Sequence, residues 1–574
     1  MSNALERATA ACAEEPIHLS GAIQPHGFLI SCALPDWTIR HVSANIEELT
    51  GAGPEEMLRH TLREFFTDDL IGPIAETIGF SEPGAAPQRA VVGNLGPLAQ
   101  LCDVSVHAAD GLVHLEIEIQ PRSAAVERSP TVVAQAMIAR LASDNDEDDF
   151  NQQVAEQVRL LTGYDRVLVY RFRHDDAGEV VAESRDSEMS SYLGLRYPST
   201  DIPVQARALY LRNRVRVIPD VSYVPVPLVP DRHPDGRPLD LSQHALRSVS
   251  PVHMQYMRNM GVAASASVSI ISGGRLWGLI ACHHRRPRRL SPGVRAAADL
   301  FGLFVSMRVA AREQQRALAE EEAARGARDT LALRLDAALD PRLASTGELE
   351  LLRRAIESDG VAMVLDEHWH TAGRAPDARM MPPLLEWVRH RDTPGPVATH
   401  LASDWNPDGG AHDGLAGVLA VPLDEQAGEW LFFFRCEELE EIRWAGAPRE
   451  PMQLDTAGER IGPRASFAAW HETVRGRSVA WRDADFRAAE RLSMLLRERY
   501  RRGSARSEVS ELRAYRTRTE VRDQRQRLLQ LSELLEGLVH VRPDDAARLA
   551  DRISVLEAEL QSLIASREPA GSPG

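Results

Sequence analysis

Residues 246–270, LRSVSPVHMQYMRNMGVAASASVSI, followed by LWGLIACHH at 276–284, carry the reading of this chain. ASASVSI alternates small polar and apolar residues as a half-buried strand does. LWGLIACHH is apolar enough to lie in the middle of a sheet and ends on Cys282, His283 and His284. RVLVYRF at 166–172 supplies another strand, so 150–306 is an α/β unit. Upstream, Tyr197-Pro198-Ser199-Thr200-Asp201-Ile202-Pro203 leads to Gln205, Arg207, Tyr210 and Arg216. Together with Arg247, Ser250, His253, Tyr256, Ser265 and Ser267, these stretches collect arginines for carboxylates, orienting hydroxyls and proton-sharing histidines. Such a set suits a pocket for a large planar molecule with acidic arms. Taken singly, Asp-Ile-Pro is a turn, His253 a core histidine and Cys12 an idle thiol. Their joint occurrence is what points to a pocket.

Outward from this unit the chain repeats the α/β pattern without repeating the sequence. HGFLIS, WTIRHVS and LVHLEIEIQP make residues 17–121 strand-rich. VVAQAMIARLA followed by DNDEDD marks a boundary helix and a helix start. From Pro292 to about Asp340 the chain is one long helical pattern, too long for a single core. VAMVL, GVLAVPL and EWLFFFR give a third α/β unit, interrupted at 437–478 by a long Gly- and Pro-containing insertion. In the tail, Leu528, Leu531, Leu535 and Leu538, and then Leu549, Ile553, Leu556, Leu560 and Leu563, keep heptad spacing on either side of Arg542-Pro543-Asp544-Asp545. The pattern is a helical hairpin.

With 574 residues there is chain for several domains, and 44% apolar against 26% charged residues is globular composition. The net charge of −17 is the wrong sign for a nucleic-acid coat or an anionic-membrane binder. There is no lysine; all 66 basic residues are arginine. Schiff-base chemistry and a complete Walker A loop are therefore excluded. The five cysteines (Cys12, Cys32, Cys102, Cys282, Cys436) have no zinc spacing and no disulfide framework. No secretion signal and no apolar run of about 18 residues is found, so a cytoplasmic location is expected.

The chain resembles the bacteriophytochromes. The likeness rests on Cys12-Ala13-Glu14-Glu15-Pro16-Ile17-His18, Gly21-Ala22-Ile23-Gln24-Pro25-His26-Gly27, YPSTDIPVQAR, LRSVSPVHMQYMRNMGV, LWGLIACHH, RWAGAP, GPRASFAAW and GRSVAW. It implies an α/β (α+β) fold of three consecutive mixed domains joined by long helices. The parts are an arm (1–16), PAS (17–121), GAF (122–320), PHY (321–503, tongue at about 437–478) and a helical output or dimerisation tail (504–574). The implied cofactor is biliverdin IXα, a linear tetrapyrrole, with no metal. The implied function is red/far-red light sensing by bilin isomerisation and tongue refolding, without catalysis. The resemblance assigns Cys12 to the covalent thioether. Asp201 makes the pyrrole contact, with His253 stacked beside it. Tyr210, Arg216 and Arg247 serve the ring B propionate, and Ser265 and Ser267 the ring C propionate; Ile202 and Ser250 are further chromophore contacts. His283 takes the ring D carbonyl, while Tyr170, Tyr197 and Tyr256 wall the ring D cavity. Arg464 reaches from the tongue to Asp201.

In plant and most cyanobacterial phytochromes the attachment cysteine precedes the GAF histidine; that neighbour here is Val252, so Cys12 favours biliverdin. Three departures stand out. Phe432-Phe433-Phe434-Arg435-Cys436-Glu437 lacks the family's tryptophan and proline, and Thr200 replaces alanine or serine. No kinase box, ATP lid or cyclase signature follows residue 505. His540 lacks phosphoacceptor surroundings. A homodimer through the tail is expected, with no nucleic-acid or membrane partner. REPAGSPG has the composition of a natural tail; the alternative is the sensor part of a light-regulated histidine kinase whose catalytic domain is absent from the chain. Cyclic-nucleotide binding by the GAF unit and haem ligation are weaker readings.

Overall fold

A computed structural model of the chain describes residues 15–81, 84–120, 128–141, 147–173, 175–337, 346–365, 367–390, 395–406, 408, 412–424, 428–447, 464, 466–502, 522–533 and 543–565. The chain is mixed α/β throughout, and it divides into two compact units. One comprises Met1–Ala317 with Glu440–Val474, the other Leu318–Leu439 with Arg475–Gly574.

The first unit holds two sheets. In the first sheet Phe28–Ala33, Thr38–Ser43, Gln88–Leu95, Gln100–Ala109 and Leu112–Ile119 pair antiparallel. Phe28, Ile30, Val104, Val106, Leu115 and Ile117 alternate along these strands into a core shared with Leu70, Ile71 and Ile74 of the helix Asp68–Phe80. Leu112–Ile119 is buried almost end to end because its sheet is covered on both faces. The second cover comes from far along the chain, where Leu239, Leu241 and Leu246 pack on Leu29 and Leu112. A strand of the second domain, Val226–Val229, pairs with both Thr38–Ser43 and Ala22–Ile23. Segment 15–24 is clasped there: Leu241 N donates to His18 O at 2.9 Å and Gln24 N to Leu246 O at 2.8 Å.

The second sheet runs in the order Val215–Ile218, Ala264–Ser272, Arg275–His284, Arg166–Phe172, Gly178–Arg185, Arg196–Tyr197, Glu440–Ala445 and Ala469–Val474. Arg275–His284 is central, as its apolar run predicts. Period 2 sorts its side chains. Ile280 and Cys282 enter a core with Val154 and Val158 of the helix Glu147–Thr162 and with Phe301 and Val305 of the helix Pro292–Ala337. Leu279, Ala281 and His283 face the other way. The insertion at 437–478 contributes the outer hairpin, Glu440–Ala445 with Ala469–Val474. It joins through one parallel bridge, Trp444 to Arg196.

The other unit is built on an antiparallel sheet ordered His368–Gly373, Gly360–Leu365, Glu429–Cys436, Leu415–Asp424 and Val397–Thr399. Its centre explains the departure Phe432-Phe433-Phe434. Phe433 packs with Leu349, Leu352, Leu492 and Leu496, while Phe432 and Phe434 pack on the opposite face with Leu384, Trp387 and Trp405. A central strand covered on both faces takes consecutive aromatics. In the tail, Leu528 from the helical segment 522–533 meets Ile553 and Leu560 of the helix Pro543–Ala565 in one buried cluster. Leu535, Leu538 and His540 lie outside the described residues. No helix is long and apolar enough to cross a membrane among the described residues.

Candidate functional site

The face of the second sheet that carries Leu279, Ala281 and His283 bounds a cavity of about 610 Å³. Tyr170, Tyr197, Asp201, Ile202, Tyr210, Arg216, Arg247, Ser250, His253, Tyr256, Ser265, Ser267, His283 and Arg464 all line it. Cys12 lies outside the described residues.

The floor is a strand register. Ser265 stands opposite His283 on one side and Ile218 on the other, and Ser267 opposite Arg216. Tyr170 is the cross-strand partner of Leu279. Its ring lies against Gly178, where a β-carbon would overlap the phenol. The Tyr170 and Tyr197 rings are 5.8 Å apart. Above the floor sits the helix Pro251–Asn259. Ser250 caps it, accepting from Val252 N at 3.3 Å, with Pro251 in the first turn. Spacing of three and four then puts His253, Tyr256, Met257 and Met260 on the cavity side. The His253 and Tyr256 rings stack at 9° with centroids 6.1 Å apart.

Asp201 closes a 3₁₀ turn, Ser199–Asp201, before the helix Val204–Arg212. Tyr256 Oη donates to Asp201 Oδ2 at 2.9 Å, and Arg464 Nε lies 3.7 Å from the same oxygen. Asn259 Nδ2 donates to Arg464 O at 2.9 Å, and the Phe467 ring meets Tyr256 edge-on at 5.1 Å. Arg207 is different from its neighbours: it does not line the cavity. Its guanidinium is committed to Asp176 at 2.6 Å and to Ile202 O at 2.8 Å, where it holds the Asp-Ile-Pro turn.

Burial dominates the electrostatics. It pulls His253 down to about 4, with help from Arg216, and His283 down to about 3, with help from Arg166. Both are neutral imidazoles at neutral pH. Burial raises the Asp201 carboxyl, against the opposing pull of Arg464 and of the Tyr256 hydroxyl. Arg247 is drawn down to about 9 by burial and by the charge of Arg216, and Arg216 is lowered by burial as well. Arg216 donates to Ala245 O at 2.9 Å and Arg247 to Ile17 O at 2.8 Å. Among the described residues neither has a carboxylate within ion-pair distance. One buried and one half-buried cation facing a void call for an anion. His283 Nδ1, Tyr197 Oη and Arg247 Nε are also buried without a hydrogen-bond partner.

Sequence reasoning missed Glu15, Leu209, Asn213, Met257 and Met260, which also line the cavity. Glu15 accepts from Ser250 Oγ at 3.1 Å. The methionines could have been found from their three-residue step with Met254. Cys282, which stands beside His283 in the sequence, points into the opposite core, where burial pushes its thiol up to about 12.

Family profiles match residues 12–120 (PAS fold), 146–309 (GAF domain) and 324–504 (phytochrome region). The Bacteriophytochrome of Pseudomonas aeruginosa is 38% identical over 502 residues, covering 85% of this chain and 66% of that protein. The Bacteriophytochrome of Xanthomonas campestris pv. campestris is 32% identical over 514 residues, 84% of this chain and 78% of that one. The Phytochrome-like protein Cph1 of Synechocystis is 34% identical over 82% of this chain. This chain spans 64% of its length. A crystal structure of a bacteriophytochrome from R. palustris superposes with a TM-score of 0.74 at 34% identity, covering 86% of this chain and all of that one.

Proposed function

This chain belongs to the bacteriophytochromes, and from that premise we propose that it is a red/far-red photoreceptor holding biliverdin IXα through Cys12. The observation that carries the reading is the pair Arg216, half-buried, and Arg247, buried, both without a carboxylate partner among the described residues, on the wall of the 610 Å³ cavity. Its volume falls within the roughly 300–1,000 Å³ of small-molecule sites. The donor set fits a linear tetrapyrrole with two propionates. Arg216, Arg247, Tyr210 and Ser250 would hold one carboxylate; Ser265 and Ser267 would hold the other. His283 Nδ1 and Tyr197 Oη are donors or acceptors left over for the far ring. When bound, the bilin supplies visible absorption and a double bond that isomerises on excitation.

The chain's own residues supply the rest. Neutral His253 offers one donor and one acceptor nitrogen to the cavity it shares with Asp201. Asp201 holds the tongue through Arg464 and the helix Pro251–Asn259 through Tyr256. Exchange of the Arg464 contact for another partner would release the tongue hairpin, which a single bridge ties to the sheet. That hairpin is the two-state element a population shift needs. The helix Pro292–Ala337 and the tail helices would carry the change onward to a homodimeric, cytoplasmic output. Because the chain spans 64% to 66% of several relatives, the sensor part of a light-regulated kinase is the second reading.

Adding biliverdin to the purified chain tests the main reading. The expected outcome is an absorption band in the red or far red that interconverts reversibly under alternating illumination. No band, or a band indifferent to light, would defeat it. Asp201→His should keep the pigment, arrest the photocycle and raise fluorescence; full photoconversion would remove Asp201 from its role.

A further inference from the structure

Away from the cavity, three histidines meet where the loop of the second domain closes on the first sheet. His107 and His114 are directly opposed on the antiparallel strands Gln100–Ala109 and Leu112–Ile119. Their rings stack with centroids 4.9 Å apart. His244 comes from the clasping loop and meets both edge-on, at 4.5 and 4.6 Å. One ring nitrogen from each lies within 4.8 Å of the others. None of the three is more than 1% exposed. Buried polar atoms are normally hydrogen-bonded. Among the described residues, both nitrogens of His107, both of His244 and Nε2 of His114 have no hydrogen-bond partner. The remaining nitrogen, His114 Nδ1, is 2.8 Å from Ser31 Oγ.

We propose that His107, His114 and His244 bind one divalent transition-metal ion of the zinc class, which staples the clasping loop of the second domain to the sheet of the first. Three imidazoles with a water in the fourth place are a recognised set for zinc, and the same ligands suit cobalt(II). Ser31 beside His114 is the outer partner that fixes ring orientation at such sites. Burial depresses all three histidines, His107 to about 4, so their lone pairs are free at neutral pH. Zinc–nitrogen bonds of about 2.1 Å set the nitrogens roughly 3.4 Å apart, so the rings close in by small χ rotations on binding. Because the three rings are buried where the loop meets the sheet, the ion's role is structural. The site also touches the pigment reading, since the clasp turn at His244 and Ala245 offers its carbonyls to Arg216 at 3.4 and 2.9 Å.

The competing occupant is a bridging water. Full-length chain purified with a chelator and without pigment, then titrated with Co²⁺ and back-titrated with Zn²⁺, separates the two. The expected result is one equivalent of Co²⁺ giving the visible bands of four-coordinate cobalt, displaced by Zn²⁺. His244→Gln should abolish the bands, and His370→Gln, in the other unit, should leave them. Ser31→Ala should fold as the parent does and weaken binding about 10–100-fold. Absence of the cobalt bands in the parent chain, or bands unchanged in His244→Gln, would overturn the site. If His244→Gln does not fold, unchanged affinity in Ser31→Ala would do the same.

Discussion

Two sets of arginine show how differently one side chain can be used. In the PHY-type sheet, Arg435 is fully answered. Its guanidinium reaches Asp485 Oδ2 at 3.0 Å, Ala480 O at 2.9 Å and Glu357 O at 3.1 Å, and lies 3.9 Å from the centre of the Trp481 ring. In the GAF-type domain, Arg216 and Arg247 donate to main-chain carbonyls beside a cavity. Burial alone does not distinguish them. A charge that is balanced locally serves the fold, and one left unbalanced beside a void serves a ligand.

The contrast extends to acid. The described histidines whose pKa burial depresses belong to the first unit, among them His26 and His107 at about 4, His253 at about 4 and His283 at about 3. In an unfolded chain a histidine protonates near 6.5, whereas these stay neutral until about 4. As pH falls between those values the unfolded state binds more protons, so stability is present above 6.5 and is lost towards 4. Each such group contributes about 1.4 kcal/mol per pH unit across that window. Glu116, pushed up to about 7 by burial, acts in the opposite sense as a single group. Pepsin digestion across pH 6.5 to 4 should therefore cut residues 15–317 before residues 346–439. Simultaneous cleavage would break the comparison.

Next in size is Arg435→Ala, which removes the buried ion-pair partner of Asp485 and leaves its carboxylate only Arg482 N at 2.8 Å and Arg482 Nε at 3.7 Å; it should cost about 3–5 kcal/mol in urea unfolding. A cost under about 1 kcal/mol would put Arg435 in the same class as the cavity arginines. The converse test is smaller. In a Cys12→Ser chain, where pigment binding is reversible and zinc fluorescence after denaturing electrophoresis should vanish, Arg216→Ala should weaken biliverdin binding about 10–100-fold, or about 1.4–2.8 kcal/mol. Persistent covalent pigment in Cys12→Ser would end that residue's assignment. Unaltered affinity in Arg216→Ala would end the carboxylate reading. Smallest is the tail: Leu528→Glu with Leu560→Glu should raise the dimer dissociation constant by about tenfold, roughly 1.4 kcal/mol, with the pigment spectrum intact. Unchanged mass by light scattering near the dissociation constant would place the dimer contact elsewhere.

Motif stretches told the site residues because each puts its chemistry on a short element with a known period. Two-residue alternation sends Ser265 and Ser267 to the cavity, and three- and four-residue steps do the same for His253 and Tyr256. Glu15 escaped because nothing local marks it; it reaches the cavity only because the clasp holds segment 15–24. Arg207 was grouped with the carboxylate-binding arginines because composition cannot tell a guanidinium that faces a void from one turned to Asp176.

From sequence alone come the three α/β domains, the long linking helix, the heptad tail and the roster of cavity residues, all set by local period and by motifs a few residues long. Tertiary structure alone decided that Val226–Val229 would enter the first sheet, that the insertion at 437–478 would extend the second, and that His107, His114 and His244 would meet. Those arrangements join segments some 130 to 250 residues apart along the chain. Their energy lies in shared burial and strand-edge pairing, which leave no periodic trace in either partner's own sequence.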